Sequence, residues 1–253
     1  FRSFNVQRGI EDARLLAYPN VTTGALDVYA RSRFEGAEAT VRHALLWDGC
    51  DRVDLLAGYR FGDLRELLRT HAYTISTDPA GPAAVGTTMS VLDTFDVKNE
   101  FHGAELGVSG HMQRCRWSAD LLLKLALGNT HSRVALSGST TTTAPPDPTP
   151  AVYDTGFLVL DTNRGIYSHN EFSVIPELGL TLGYDLTPRL RATAGYTFIY
   201  WSRVARPGDQ IDLDLNPTPF PPNQLDGAAR PRFPFAMTDF WLQGINVGLD
   251  YRY

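Results

Sequence analysis

The chain has 253 residues, enough for one large domain, with a formal net charge of −5 and two cysteines. The mildly acidic balance argues against a nucleic-acid partner, which would favour a basic patch. No run of about 18 uncharged apolar residues occurs, which excludes a transmembrane helix but not a membrane barrel, whose strands are apolar only at alternate positions.

In chain order, residues 1–23 open without a recognisable entry into a fold. They read as a peripheral N-terminal segment. With no leading Met and no signal peptide, the expectation is a polypeptide that continues upstream. Alternation of apolar and polar side chains follows, weakly over Ala25–Phe34 and Ala37–Trp47, then clearly over Arg52–Phe61. There Val53, Leu55, Ala57, Tyr59 and Phe61 fall on one face, because side chains of a strand point to opposite faces in turn. Leu64–Ser76 and Phe95–Gly110 repeat the pattern weakly. Leu64–Thr70 could form a helical turn or two, but the neighbouring hairpin spacing favours a strand. From Trp117 to Leu127 the apolar row is strong, and Arg133–Gly138 follows as a weaker segment. Phe172–Tyr184 and Leu190–Tyr200 alternate clearly, with Gly and Thr opposite the apolar row. Pro176 suggests a bulge or a later start in the first of these. Thr238–Tyr253 closes the chain with Trp241, Ile245, Val247, Leu249, Tyr251 and Tyr253 on one face.

The breaks at Asp48–Asp51, Gly62-Asp63, Gln113-Arg114 and Asp185–Pro188 have hairpin composition. Ser137–Pro150 is rich in Thr and Pro, and residues 203–237 are rich in Pro. Proline cannot donate to a ladder, so both segments are expected to be long loops. The pattern predicts a single all-β domain, an antiparallel up-and-down transmembrane β-barrel of about 10 to 12 strands.

One apolar face per strand also fits a soluble sandwich or barrel. A soluble sheet turns Lys and Glu to water, whereas the polar faces here hold Gly, Thr, Asn, Arg and Asp. The apolar rows begin or end at Trp47, Tyr59, Trp117, Tyr184, Tyr200, Trp241, Tyr251 and Tyr253, as interfacial girdles do. The sequence therefore favours a membrane barrel with lipid as its outer solvent. Its interior would be lined by Arg31, Arg33, Glu38, Arg42, Arg52, Asp54, Arg60, Glu105, Asp120, Lys124, Glu177, Arg191, Asp250 and Arg252, with Asp27 and Asp185. The signs nearly balance, whereas a strongly ion-selective pore needs an excess of one sign at a constriction. Two interiors remain open: a lumen filled by side chains and salt bridges, or a narrow water-filled path.

Cys50 falls after the second segment and Cys115 after the fifth, which predicts turns at opposite ends of the barrel. A disulfide needs Cα atoms within about 7 Å, so both are expected to be free thiols. None of the six histidines has metal-ligand spacing, and a Gly-x-Ser-x-Gly elbow is absent. His102, Glu105 and Ser109 share a strand, but His102 and Glu105 have opposite parity, so no triad assembles. Asp209–Asp214 could hold calcium through carboxylates, although such clusters are more often solvated loops. The residues imply neither an enzyme nor a cofactor.

The segment from Pro176 to Asp212 (PELGLTLGYDLTPRLRATAGYTFIYWSRVARPGDQID) is followed by Asn216-Pro217 and by Asp239–Leu249. Upstream stand Gly36-Ala-Glu38, Leu55–Arg60, Asn99–Gly103 and Ala126–Thr130. In this order the segments resemble β-barrel porin family seven, found mainly in planctomycete bacteria. The resemblance implies a bacterial outer-membrane barrel with no known enzymatic activity, and it supplies no functional residues to carry over. The ending Asn246-Val-Gly248-Leu-Asp-Tyr251-Arg-Tyr253 resembles the C-terminal recognition signal of outer-membrane barrels. That likeness implies insertion by the barrel assembly machinery. Two functions are compatible with this: a narrow passive channel for small solutes, or a structural component contacting other chains as a homo- or hetero-oligomer.

Overall fold

Alternating β-branched, aromatic and small residues suit a pleated, half-buried surface, and here they hold the chain extended over unusually long stretches. The computed structural model describes residues 2–13, 15–220, 223 and 225–251. Its strands are β1 (Arg2–Asn5), β2 (Ile10–Ala13), β3 (Thr22–Trp47), β4 (Asp51–Ser76), β5 (Thr88–Arg114) and β6 (Trp117–Ala144). They continue as β7 (Asp147–Tyr153), β8 (Gly165–Asp185), β9 (Leu190–Ala205), β10 (Asp214–Leu215) and β11 (Met237–Tyr251). Seven long strands form one sheet in the order β11-β9-β8-β6-β5-β4-β3, antiparallel at every step. The sheet is curled strongly into a half-barrel. Phe34 of β3 lies 5.7 Å from Phe240 of β11, ring centre to ring centre, although these are the two edge strands. The short strands β10, β1 and β2 make a separate small sheet.

The strands are fewer and longer than the sequence suggests. Ala25–Phe34 and Ala37–Trp47 merge in β3, Arg52–Phe61 and Leu64–Ser76 in β4, and Trp117–Leu127 and Arg133–Gly138 in β6. Gly62-Asp63 is not a turn. A Cβ on Gly62 would lie 3.3 Å from the Trp201 indole, so this glycine makes room for a ring inside a continuous strand. Ser137–Pro150 is not a loop either. Its β-branched threonines extend β6, and the chain returns as β7, an edge strand in which prolines are tolerated. Pro176 lies within β8, beside the point where the β8–β9 ladder stops. The backbone irregularity falls instead on β9, where Arg203 has φ 56°.

The tight turns that join consecutive long strands lie together at one end of the sheet, here called the turn end. They follow Trp47, Arg114 and Asp185. Asp48 Oδ1 shapes the first by accepting the N–H groups of Cys50 (3.1 Å) and Asp51 (2.7 Å). The long connections occupy the opposite, loop end. Cys50 and Cys115 therefore share the turn end, on neighbouring hairpins, where the Gln113 N–H donates to the Cys50 carbonyl at 3.0 Å. The expectation of opposite ends fails because the sequence reading split β4 at Gly62. Both cysteines are exposed free thiols.

The two faces of the sheet exchange character halfway along the strands. In the turn half the convex face is apolar and exposed, with Leu55 and Tyr59 on β4, Leu106 and Val108 on β5, and Leu121 to Leu127 at alternate positions on β6. In the loop half the same convex rows turn polar: Asp63 and Arg65, then Lys98 and Glu100, then His131. The concave face does the reverse. It is charged in the turn half and mainly apolar above, with Glu66 and Asp93 buried among the apolar groups. Leu64, Phe101, Ala126, Ile175, Trp201 and Phe240 form one buried cluster with Phe34, to which all seven long strands contribute. A second cluster joins Phe95, Val97, Val134 and Leu136 to Leu158 and Val159 of the β7–β8 connection.

Candidate functional site

The concave face of the turn half gathers five charged residues from five strands: Glu38 (β3), Arg60 (β4), Glu105 (β5), Lys124 (β6) and Glu177 (β8). Register places them near one another, since Glu38 pairs with Arg60 and Lys124 pairs with Glu177 across their ladders. Arg60 Nη1 donates to Glu105 Oε2 at 3.0 Å and to Glu177 Oε2 at 2.5 Å. Lys124 Nζ donates to both Glu38 oxygens at 2.6 Å. Gly107 makes room for the Lys124 stem, because a Cβ there would stand 2.9 Å from Lys124 Cγ.

Glu105 is fully buried, and its Oε1 has no hydrogen-bond partner. Lys124 Nζ stands 3.8 Å from that oxygen. Carboxylate oxygens of Glu38, Glu105 and Glu177 lie within 4.8 Å of one another, close enough to hold a metal ion. Arg60 and Lys124 already stand in that triangle and neutralise most of its charge. A buried charge is tolerated when paired and costly when its partner is removed, so the five side chains act as one unit.

Nearer the turn end, buried Asp54 accepts from Arg52 Nε at 2.8 Å and lies 3.5 Å from Arg42 Nη1. His111 Nδ1 and Asp120 Oδ1 are 2.6 Å apart. A cleft of about 330 Å³ opens here, lined by Arg42, Arg52, Asp54, His111 and Asp120 among others. Arg191 bonds Ser118, and its ladder partners are Asp185 on β8 and Asp250 on β11.

Three charges expected on the interior lie elsewhere. Phe34 and Glu38 point inward, so Asp27, Arg31 and Arg33, at odd positions of the same continuous strand, take the convex face. Arg33 pairs there with Glu35. Reading β3 as two segments left this phase unfixed. Asn246 and Gly248 stand on the concave face of β11 and Tyr251 on its exposed convex face. Arg252 and Tyr253 lie outside the described residues. Sequence reasoning missed Phe34, Trp201 and Phe240 as an interior cluster. The shared parity of Phe34 and Glu38 was the available signal.

The remaining chemical candidates resolve into structural contacts. His102 turns outward to Tyr59 Oη (2.5 Å), while Glu105 points inward. In the Asp209–Asp214 run, Arg230 Nη1 sits 2.8 Å from Asp212 and 3.3 Å from Asp214, supplying the positive charge that calcium would bring. In the loop half, Asp93 accepts the N–H groups of Phe157 (3.1 Å), Leu158 (3.0 Å) and Val159 (2.8 Å), pinning the β7–β8 connection to the concave face. Burial pushes its carboxyl up to about 6, against the pull of those donors.

Sheet and faces together define the class: an all-β protein built on a strongly curled antiparallel barrel wall. A family model described as "Putative beta barrel porin-7 (BBP7)" matches residues 3–253, and the chain belongs to that family. No curated protein and no solved structure matches the chain.

Proposed function

We propose that this chain is an outer-membrane β-barrel protein that crosses the bilayer with the turn half of its sheet and keeps its interior filled. The exchange of faces carries this reading. A convex row such as Trp117–Leu127 spans about 33 Å along the strand and, at barrel tilt, about 25 Å across it, the height of a membrane band. Exposed Trp117 and Trp241 mark the ends of such rows, while Trp201 is buried within. Interior filling is supported by the five-residue ion-pair unit and by the apolar cluster to which every long strand contributes. The protein then serves as a structural wall or anchor, with lipid around its waist. A narrow passive channel for small solutes is the second reading, favoured by the charged cleft below the ion pairs and by the family's description.

Brominated lipids test the membrane assignment through tryptophan fluorescence. Single-tryptophan proteins retaining Trp117 or Trp241 are expected to be quenched, and one retaining Trp201 is not; equal protection of all three would refute it. Conductance across a planar bilayer then separates the two interiors. Silence is expected of a filled barrel, and steady ohmic steps would establish the channel.

A further inference from the structure

Every neighbouring pair in the sheet is antiparallel and the sheet has seven long strands, so its two edges, β3 and β11, run in the same direction. Closing one directly on the other would create a parallel seam. On the proposed function, which this inference presupposes, both edges lie in hydrocarbon with unpaired backbone N–H and C=O groups, and open sheet edges do not occur there. Antiparallel closure requires an odd number of additional strands.

The curl indicates how many. Phe34 and Phe240 touch across the interior, so the edges stand close together. One inserted strand needs two spacings, about 10 Å in all. An interior just filled by side chains is that of a barrel of about eight strands. The stagger agrees. From Leu242 the register runs through Ile199, Glu177, Lys124, Gly107 and Leu56 to Arg42. Yet Phe240, beside Leu242, touches Phe34, far along β3 from Arg42, an offset of the kind that barrel closure demands.

We propose that the gap between β3 and β11 takes one extended peptide segment, a β-strand antiparallel to both edges. Its outward side chains are apolar, like those beside it. Its inward face carries a carboxylate toward Arg42, which is 55% exposed and reaches Asp54, at 3.5 Å, only in competition with Arg52. It also carries a bulky residue near Gly244, where an added Cβ meets nothing within 4 Å. A second copy does not supply this strand. Related by an axis along the membrane normal, two copies would again meet β3 to β11 in parallel.

The test uses the protein in its native membrane, with Cys50 and Cys115 changed to Ser and with Glu35→Cys and Trp241→Cys at the rim. These positions follow Phe34 and Phe240 by one residue each. Oxidation is expected to give no disulfide, while thiol reagents spanning about 10 Å link the pair. A disulfide formed directly would overturn the proposal in favour of a parallel seam. Linking only by reagents of about 20 Å would overturn it in favour of three strands. A folded protein, recognised by heat-modifiable migration on gels, that neither reagent links would overturn it too. Ala37→Cys with Gln243→Cys repeats the measurement if the first pair impairs folding. Lipid quenching of Trp117, in versions of the same cysteine variants that keep it as their single tryptophan, reports failure of the membrane reading separately.

Discussion

The turn half and the loop half are built from the same strands, yet they are inside out relative to one another. In the turn half Leu121, Leu123, Leu125 and Leu127 point outward and Lys124 points inward to Glu38; higher on the same strand His131 and Arg133 point outward and Val134 and Leu136 are buried. Alternation alone is indifferent to which face is which. What differs is the surroundings. In the loop half the apolar face meets other apolar groups from β9 and the β7–β8 connection, so the hydrophobic effect drives it inward. In the turn half the apolar face is left exposed by the described residues, and the charges have found one another. That arrangement is stable where the outer solvent is lipid.

Breaking each half in turn sharpens the contrast. The largest effect is expected from Trp201→Ala, which opens a cavity at the junction and removes the indole donor that bonds Thr130 Oγ1 at 2.9 Å. A loss of about 3–5 kcal/mol in a urea or guanidinium unfolding series is expected. A loss below about 1 kcal/mol would mean that the cluster is not a packed plug. Arg60→Met leaves Glu105 without its hydrogen-bond partner and should cost about 3 kcal/mol or more, whereas Arg60→Met with Glu105→Leu should cost less. The reverse order would show that the pairs are not coupled.

Next in size is Leu123→Arg, in the middle of the convex band. Refolding equilibria in liposomes should show a loss of about 2–4 kcal/mol. Arg133→Leu, on the same face in the loop half, should stay within about 0.5 kcal/mol. Similar costs at both sites would erase the proposed difference in solvent. The smallest effect concerns Asp93. Its folded carboxyl is raised to about 6 from 3.8, so the folded state binds the proton more readily. The cost of burying the charge is therefore present above about pH 6 and is relieved as pH falls toward 4. Protection of the Phe157–Val159 amides against hydrogen exchange should rise over that window by on the order of 1–2 kcal/mol. Asp93→Asn should remove the slope; a slope that persists points to another group.

Much of this protein was legible one strand at a time. Period-two alternation is local, so the sequence alone determined that the chain is β throughout. It also identified most of the charges that meet on the concave face, including Glu38, Arg60, Glu105, Lys124 and Glu177. Strand ends were less legible, because a strand continues as long as its neighbours offer partners, and that is not a local property. Gly62 resembles a turn residue until Trp201 is seen against it; the Thr run after Ser137 resembles a loop until β7 is seen beside it. Those merges reduced the strand count, moved Cys50 and Cys115 to one end and set the phase that turns Arg31 and Arg33 outward. Only the tertiary structure decided that Phe34 and Phe240 meet across the interior, because the curl of a sheet is the sum of small twists over all its strands and no single segment carries it.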